Sequence, residues 1–247
     1  VKYFIIAIVL IIAPGLQANP LANYSSRSLF LTLSAGPSFY RGGHTQTLYL
    51  QPEIANTYTN DSDTQPLISG ELFFGVEHLL ISHLITQLGI TLAMNGSARL
   101  RGEIWETADP LFDNWNDQYY IKHHHIALKG QLFFEHWNQD ISPYINGSVG
   151  IGFNSAYGFD AAPTIFETAS SPLFQDHQQT TLTYTLGLGL QKSFSQLWRC
   201  ALGYQFSDWG KSHLERASEQ TLNQGLQENH FYTHELVISI NYRFGAF

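Results

Sequence analysis

At 247 residues the chain has room for one barrel or sandwich, and its 13% of charged residues is half the roughly 25% usual for soluble domains. So few charges leave little to cover a water-facing surface, and a formal net charge of −8 disfavours non-specific binding to nucleic acid. Beyond the N-terminus no run approaches the ~18 apolar residues of a membrane-spanning helix, and the single cysteine, Cys200, excludes an internal disulfide.

In chain order, Lys2 precedes an apolar run from Tyr3 to Ala13, which Pro14 and Gly15 break. Leu16, Gln17 and Ala18 follow, a pattern that predicts a secretory signal peptide over residues 1–18 cut between Ala18 and Asn19. Residues 19–27 read as a periplasmic lead-in, and residues 28–247 as one domain.

From residue 28 the dominant signal is alternation of large apolar side chains with small or polar ones, the period of a β-strand. It places strands at about 28–41, 67–78, 84–104, 120–137, 143–157, 180–193, 197–210 and 231–244. In the third, Leu84, Leu88, Ile90, Leu92, Met94 and Leu100 are assigned to one face, and Gln87, Gly89, Thr91, Asn95, Ser97, Arg99 and Arg101 to the other. In the eighth, Leu236, Ile238, Ile240, Tyr242 and Phe244 oppose Ser239, Asn241 and Arg243. Connections alternate long and short, with long stretches at 42–66, 105–119, 158–179 and 211–230. The fold predicted is all-β, a closed eight-stranded antiparallel up-and-down transmembrane barrel with four long extracellular loops.

Alternation alone does not say which face points outward, since a lipocalin-type barrel is the same pattern turned inside out. The polar face decides, being rich in Gly, Ser, Thr, Asn and Gln rather than densely charged, as a crowded lumen requires. Its scattered charges, Glu71, Glu77, Arg99, Arg101, Glu103, Lys129, Glu135, Arg199 and Arg243, are assigned to a paired lumen network. Tyr120, Trp137, Tyr157, Trp198 and Tyr242 near strand ends suit interfacial girdles, so the apolar face is placed in lipid. The first and eighth strands must then pair, because open edges are too costly in hydrocarbon.

Three segments carry a family resemblance. Residues Pro143, Tyr144, Ile145, Asn146, Gly147, Ser148, Val149 and Gly150, then Tyr204 to Gly210, and finally Tyr242, Arg243 and Phe244, resemble the small opacity-type, porin-family outer-membrane barrels, which include surface antigens. The resemblance implies a bacterial outer-membrane location, outer-membrane lipid and lipopolysaccharide as surroundings, and the barrel-assembly machinery reading Tyr242 and Phe244. Gly245, Ala246 and Phe247 extend past the usual terminal aromatic. A barrel of this class implies a location, not a chemistry.

Sites with their own chemistry are few. His123, His124 and His125 alternate sides on a strand, which is poor geometry for three ligands, and His44, His177, His213 and His230 lack metal-ligand spacing. Neither metal nor cofactor is expected. Ser212, His213, Glu215 and Ser218 fall in a loop without a nucleophile motif, so catalysis is not expected. The loops are acidic and hold Leu111, Phe112, Trp115, Phe159, Ile165, Phe166, Leu173 and Phe174, which either form a lid over the mouth, enter the outer leaflet or make an adhesive surface. The leading expectation is a non-enzymatic surface protein acting in envelope integrity, adhesion or contact with host or envelope proteins. The alternatives are a narrow passage for small or hydrophobic solutes and, behind it, a lipid-modifying enzyme.

Overall fold

The computed structural model describes residues 27–61, 63–81, 83–134, 141–164, 173–218 and 220–246. The expected signal peptide and lead-in, the Ala18–Asn19 cut, Glu135, Trp137, Ile165 and Phe166 lie outside the described residues.

Eight strands close into a ring. They are β1 (Arg27–Tyr40), β4 (Gln65–Ile81), β5 (Leu84–Trp105), β6 (Asp113–Phe134), β7 (Ile141–Pro163), β8 (His177–Ser193), β9 (Trp198–Asp208) and β12 (Tyr232–Ala246). Each pairs antiparallel with its neighbour, and β1 closes on β12 through pairs such as Leu33↔Ile240 and Ser34↔Ser239. Four short strands belong to the long connections: β2 (Gln46–Gln51) and β3 (Ile54–Tyr58) form a hairpin, and β10 (Ser212–His213) pairs β11 (Gln227–Glu228).

Alternation sorts each strand as predicted over one half of the ring's height. Leu88, Ile90, Leu92, Met94, Leu128, Val149, Ile151, Leu186, Leu188, Leu202, Leu236 and Ile238 are exposed on the outer wall. Their in-strand neighbours Gln87, Thr91, Lys129, Ser148, Thr185, Gln205, Glu235 and Ser239 are buried inside. Aromatic rings cluster at both limits of this belt. Trp198, Tyr242 and Phe244 sit near the short turns, with centroids 4.7 and 5.0 Å apart. Phe206, Tyr232 and His230 form a second group, and Tyr120 stacks on Tyr157 at 5.7 Å.

Strands β5, β6 and β7 run for 22, 22 and 23 residues, about twice the ~9–11 needed to cross a hydrocarbon core. They project as a tall wall, while β9 has only 11 residues. The first connection fills part of this gap, since β3 pairs with the far end of β5 at Thr57↔Trp105 and Tyr58↔Ile104. Two stretches expected to be loops are therefore strand: residues 113–119 belong to β6 and 158–163 to β7. In the projecting half the inside is apolar, with Leu48, Leu50, Tyr58, Leu100, Ile104, Trp115, Tyr119, Ile121, Phe174, Leu214 and Phe231 in one buried cluster.

Two irregularities set which side chains face in. In β5 the partners run Asn95↔His123 and then Ala98↔Ile121, so one extra residue bulges at Gly96 and Ser97. A one-residue slip exchanges the two faces of everything beyond it. Leu100 turns inward and is 2% exposed, correcting its assignment to the outer series with Leu92 and Met94. In β7 a second shift falls between the pairs Tyr120↔Tyr157 and Gln118↔Asp160. It centres on Gly158 at φ +67°, a left-handed conformation that glycine adopts without steric cost. Phe159 beyond it packs onto the inner cluster.

Candidate functional site: a plugged lumen under a packed mouth

The lumen network is assembled from strands distant in sequence. Near the short turns, Glu77 on β4 takes two bonds from Arg199 on β9, at 2.5 and 3.1 Å, and Arg243 on β12 lies 3.5 Å away. Gln87 on β5 donates to the same carboxylate at 2.7 Å. All three charged partners reach into the ring because each sits at an inward position of its strand. A buried bidentate pair of this kind stays charged only because its hydrogen bonds and Coulomb attraction offset desolvation. The Arg199 guanidinium also lies 5.9 Å from the Phe133 ring, which packs beside Tyr144 at 5.8 Å.

One level higher, Lys129 on β6 bonds Glu71 on β4 at 2.5 Å and reaches Gln205 on β9 at 3.4 Å. The cation spans the ring and sits over Phe73, 5.4 Å from its centroid. Tyr144 lies across Gly203, where an added Cβ would come within 2.2 Å of the phenol oxygen. Glycine at that position is what lets the ring cross the lumen. The cavity beside these residues measures about 20 Å³, enough for roughly one water.

A third level is aromatic. Trp209 is 1% exposed, and its indole NH donates to Thr233 Oγ1 at 2.8 Å. His125 and His123 stack on it at 4.7 and 5.9 Å, and Phe231 packs on His123 at 3.9 Å and on Tyr40 at 3.8 Å. Asn154 ties the fourth connection down, donating to the carbonyls of Trp209 and Lys211 at 2.8 and 2.6 Å, while its oxygen lies 2.6 Å from His123 Nδ1. The histidine run is thus split as alternation requires, with His123 and His125 buried in this cork and His124 on the opposite face.

Above the cork, the fourth connection folds inward, burying Leu214, Ala217 and Leu226 against Leu48 and Leu50 of the first. Thr221 donates to the Leu50 carbonyl at 2.8 Å, and Tyr49 NH donates to Asn223. Of the apolar loop residues, Trp115, Phe159 and Phe174 belong to this lid, whereas Leu111, Phe112 and Leu173 are exposed. Polar groups are caught in the packing. Burial, with the Asp61 carboxylate beside it, pushes Asp117 up to about 7, and burial raises Glu228 against the pull of His44.

Among the predicted lumen charges, Glu71, Glu77, Lys129, Arg199 and Arg243 meet in the interior as described. Arg99, Arg101 and Glu103 do not join them, and the cause is the bulge at Gly96 and Ser97. Beyond it Arg101 and Glu103 are exposed on the outer wall, and the Arg99 guanidinium bonds the side chain of Gln118 on β6. Tyr242 and Phe244 lie on the outer wall beside Trp198. Ser212 is buried and its hydroxyl has no hydrogen-bond partner among the described residues, while His213 Nδ1 lies 2.8 Å from Gln179 Oε1. Ser212 and His213 therefore do not form the bond that a serine nucleophile makes with a histidine base. Sequence spacing gave no sign that His177, His213 and Glu215 converge, yet they do on the outer side of the fourth connection.

A closed ring with an apolar, aromatic-bordered outer belt and a charged, hydrogen-bonded interior has its polarity inverted relative to a water-soluble barrel. Such a belt is stable only against lipid, and closure removes the edges that lipid could not satisfy. The protein is a β-barrel of the outer-membrane type, crossing the membrane with all eight strands.

No family model and no curated protein matches the sequence. Among solved structures the chain is similar to Neisserial surface protein A, with a TM-score of 0.45 and 12% identity over 88% of this chain and 99% of that one. It is similar to the outer membrane protein OprG from Pseudomonas aeruginosa, at 0.47 and 14% over 90% and 99%. The outer membrane protease OmpT from Escherichia coli matches at 0.49 and 7%, over 91% and 100%. At such identities and scores the membrane assignment stands on the belt, the girdles and the interior alone.

Proposed function

We propose that this barrel is a non-enzymatic surface protein that anchors a packed extracellular half, whose outer face makes contacts for envelope integrity, adhesion or host recognition. The observation that carries the reading is closure of the interior at three levels: Glu77 with Arg199, Lys129 with Glu71, and the Trp209 cork. Eight-stranded barrels leave little lumen to begin with, and here ion pairs and rings occupy it. Binding chemistry is left to the outside, where Leu111 and Phe112 stand exposed at the tip between β5 and β6.

The test is ion conductance of the chain from residue 19 onward, refolded in detergent and inserted into a planar bilayer, with folding checked by heat-modifiable gel mobility. A folded, electrically silent barrel is expected. Discrete conductance steps would overturn the reading in favour of a passage.

A further inference from the structure

We infer that His177, His213 and Glu215 form a transition-metal site, of zinc type, on the extracellular half of the barrel. The three come from two segments held side by side. His177 opens β8, and Gln175 just before it exchanges backbone bonds with Glu215 at 3.2 and 2.9 Å. His213 and Glu215 stand two residues apart in extended chain, which puts both on the face opposite the buried Ser212 and Leu214. The imidazole centroids are 4.0 Å apart, His177 Nδ1 lies 3.3 Å from Glu215 Oε2, and one donor atom from each residue falls within 4.8 Å of the others.

That arrangement fits a small tetrahedral cation. With metal–ligand bonds of about 2.0–2.1 Å, two ligands of a tetrahedral ion sit roughly 3.3 Å apart, the separation already present between His177 and Glu215. The longer spacing closes by side-chain rotation. The outer hydrogen bond is in place too: Gln179 Oε1 can only accept, so His213 carries its proton on Nδ1 and presents a free Nε2. Two imidazoles and a carboxylate select zinc-like cations over calcium or magnesium, which take oxygen ligands. Side-chain exposures of 28% for His177 and 45% for Glu215 leave the cluster reachable from outside. Three protein ligands leave a fourth position for water or an external donor, and the bound ion would staple the start of β8 to the fourth connection.

Calorimetric titration with zinc chloride tests this on the chain from residue 19 onward, prepared without a histidine tag and refolded in detergent. One saturable equivalent is expected. Gln179→Leu should weaken it about 10–100-fold, and His177→Ala or His213→Ala should weaken it further. Glu215→Gln preserves shape and should weaken binding as well, while His44→Ala and His230→Ala leave it unchanged. Heat-modifiable mobility confirms that each variant is folded. Absence of saturable binding, or binding that survives the His177→Ala/His213→Ala double variant, would overturn the site.

Discussion

The two halves of this barrel are built on opposite rules from the same strands. Within the belt, β6 points Ala127, Lys129 and Gln131 inward and Ile126 and Leu128 outward. Above it the phase is unchanged, but the inward set becomes Trp115, Tyr119 and Ile121 and the outward set Asn116, Gln118 and Lys122. The surroundings have changed from lipid to water, so the apolar side chains move from wall to core without any change in register. Strand β5 reaches the same result differently, through its bulge at Gly96 and Ser97. Inversion by composition and inversion by register thus run side by side in paired strands. The lower interior is specified by ion pairs, and the upper by hydrophobic packing.

The largest effect is expected where the lower interior is broken. Arg199→Leu strands the Glu77 carboxylate with Arg243 at 3.5 Å as its remaining close cation, and breaking a buried pair of this kind costs about 3–5 kcal/mol. The loss should appear in urea-dependent refolding followed by heat-modifiable mobility. Adding Glu77→Leu should recover part of it, because the uncompensated carboxylate is removed, although Arg243 then loses its contact at 3.5 Å. A single variant as stable as the parent would show that the lower half does not depend on its ions.

A sharper comparison lies within β5. Leu92 and Leu100 stand eight residues apart, so an unbroken strand would put them on one face, but Leu92 is 49% exposed and Leu100 is 2% exposed. Leu100→Ala should cost about 2–5 kcal/mol through a cavity in the upper core. Leu92→Ala faces lipid, opens no internal cavity, and should cost well under half of that. Protease digestion of the two variants should cut the projecting half of the first and spare the second. Equal effects would erase the distinction that the bulge creates.

Much of this was legible in the sequence. All eight strands followed from alternation, the lipid-facing side from the composition of the polar face and closure from the cost of open edges in hydrocarbon, and the inward placement of Glu71, Glu77, Lys129, Arg199 and Arg243 agrees with strand phase. The projecting half was less legible for physical reasons. Asp113, Asp117 and Asp160 made the strand extensions look like loop, although the inward series Trp115, Asp117 and Tyr119 already carried the period of a strand. A bulge leaves no period of its own, so phase carried across Gly96 and Ser97 put Arg99, Arg101 and Glu103 inside. The approach of His177 to His213 is tertiary, made by chain segments that meet only after the fourth connection folds over the mouth.

The upper half also carries a titration, because its apolar packing encloses Asp117 at 5% exposure with one carboxylate oxygen unpartnered among the described residues. Its pKa is raised to about 7, against 3.8 for the ordinary side chain. Between those values the folded chain holds a proton that the unfolded chain has released. Stability from this group is therefore fully present below about pH 4 and declines as pH rises toward 7, by at most about 1.4 kcal/mol per pH unit. Backbone hydrogen exchange of residues 113–121 and of their partners in β5 should quicken between pH 5 and pH 7 beyond the intrinsic chemical rate. The belt strands should not share the change, and Asp117→Asn should abolish it, since an amide keeps the shape without the charge. An identical pH response in the Asn variant would place the titrating group elsewhere, leaving Glu228, also raised by burial in the same mouth, as the next residue to replace.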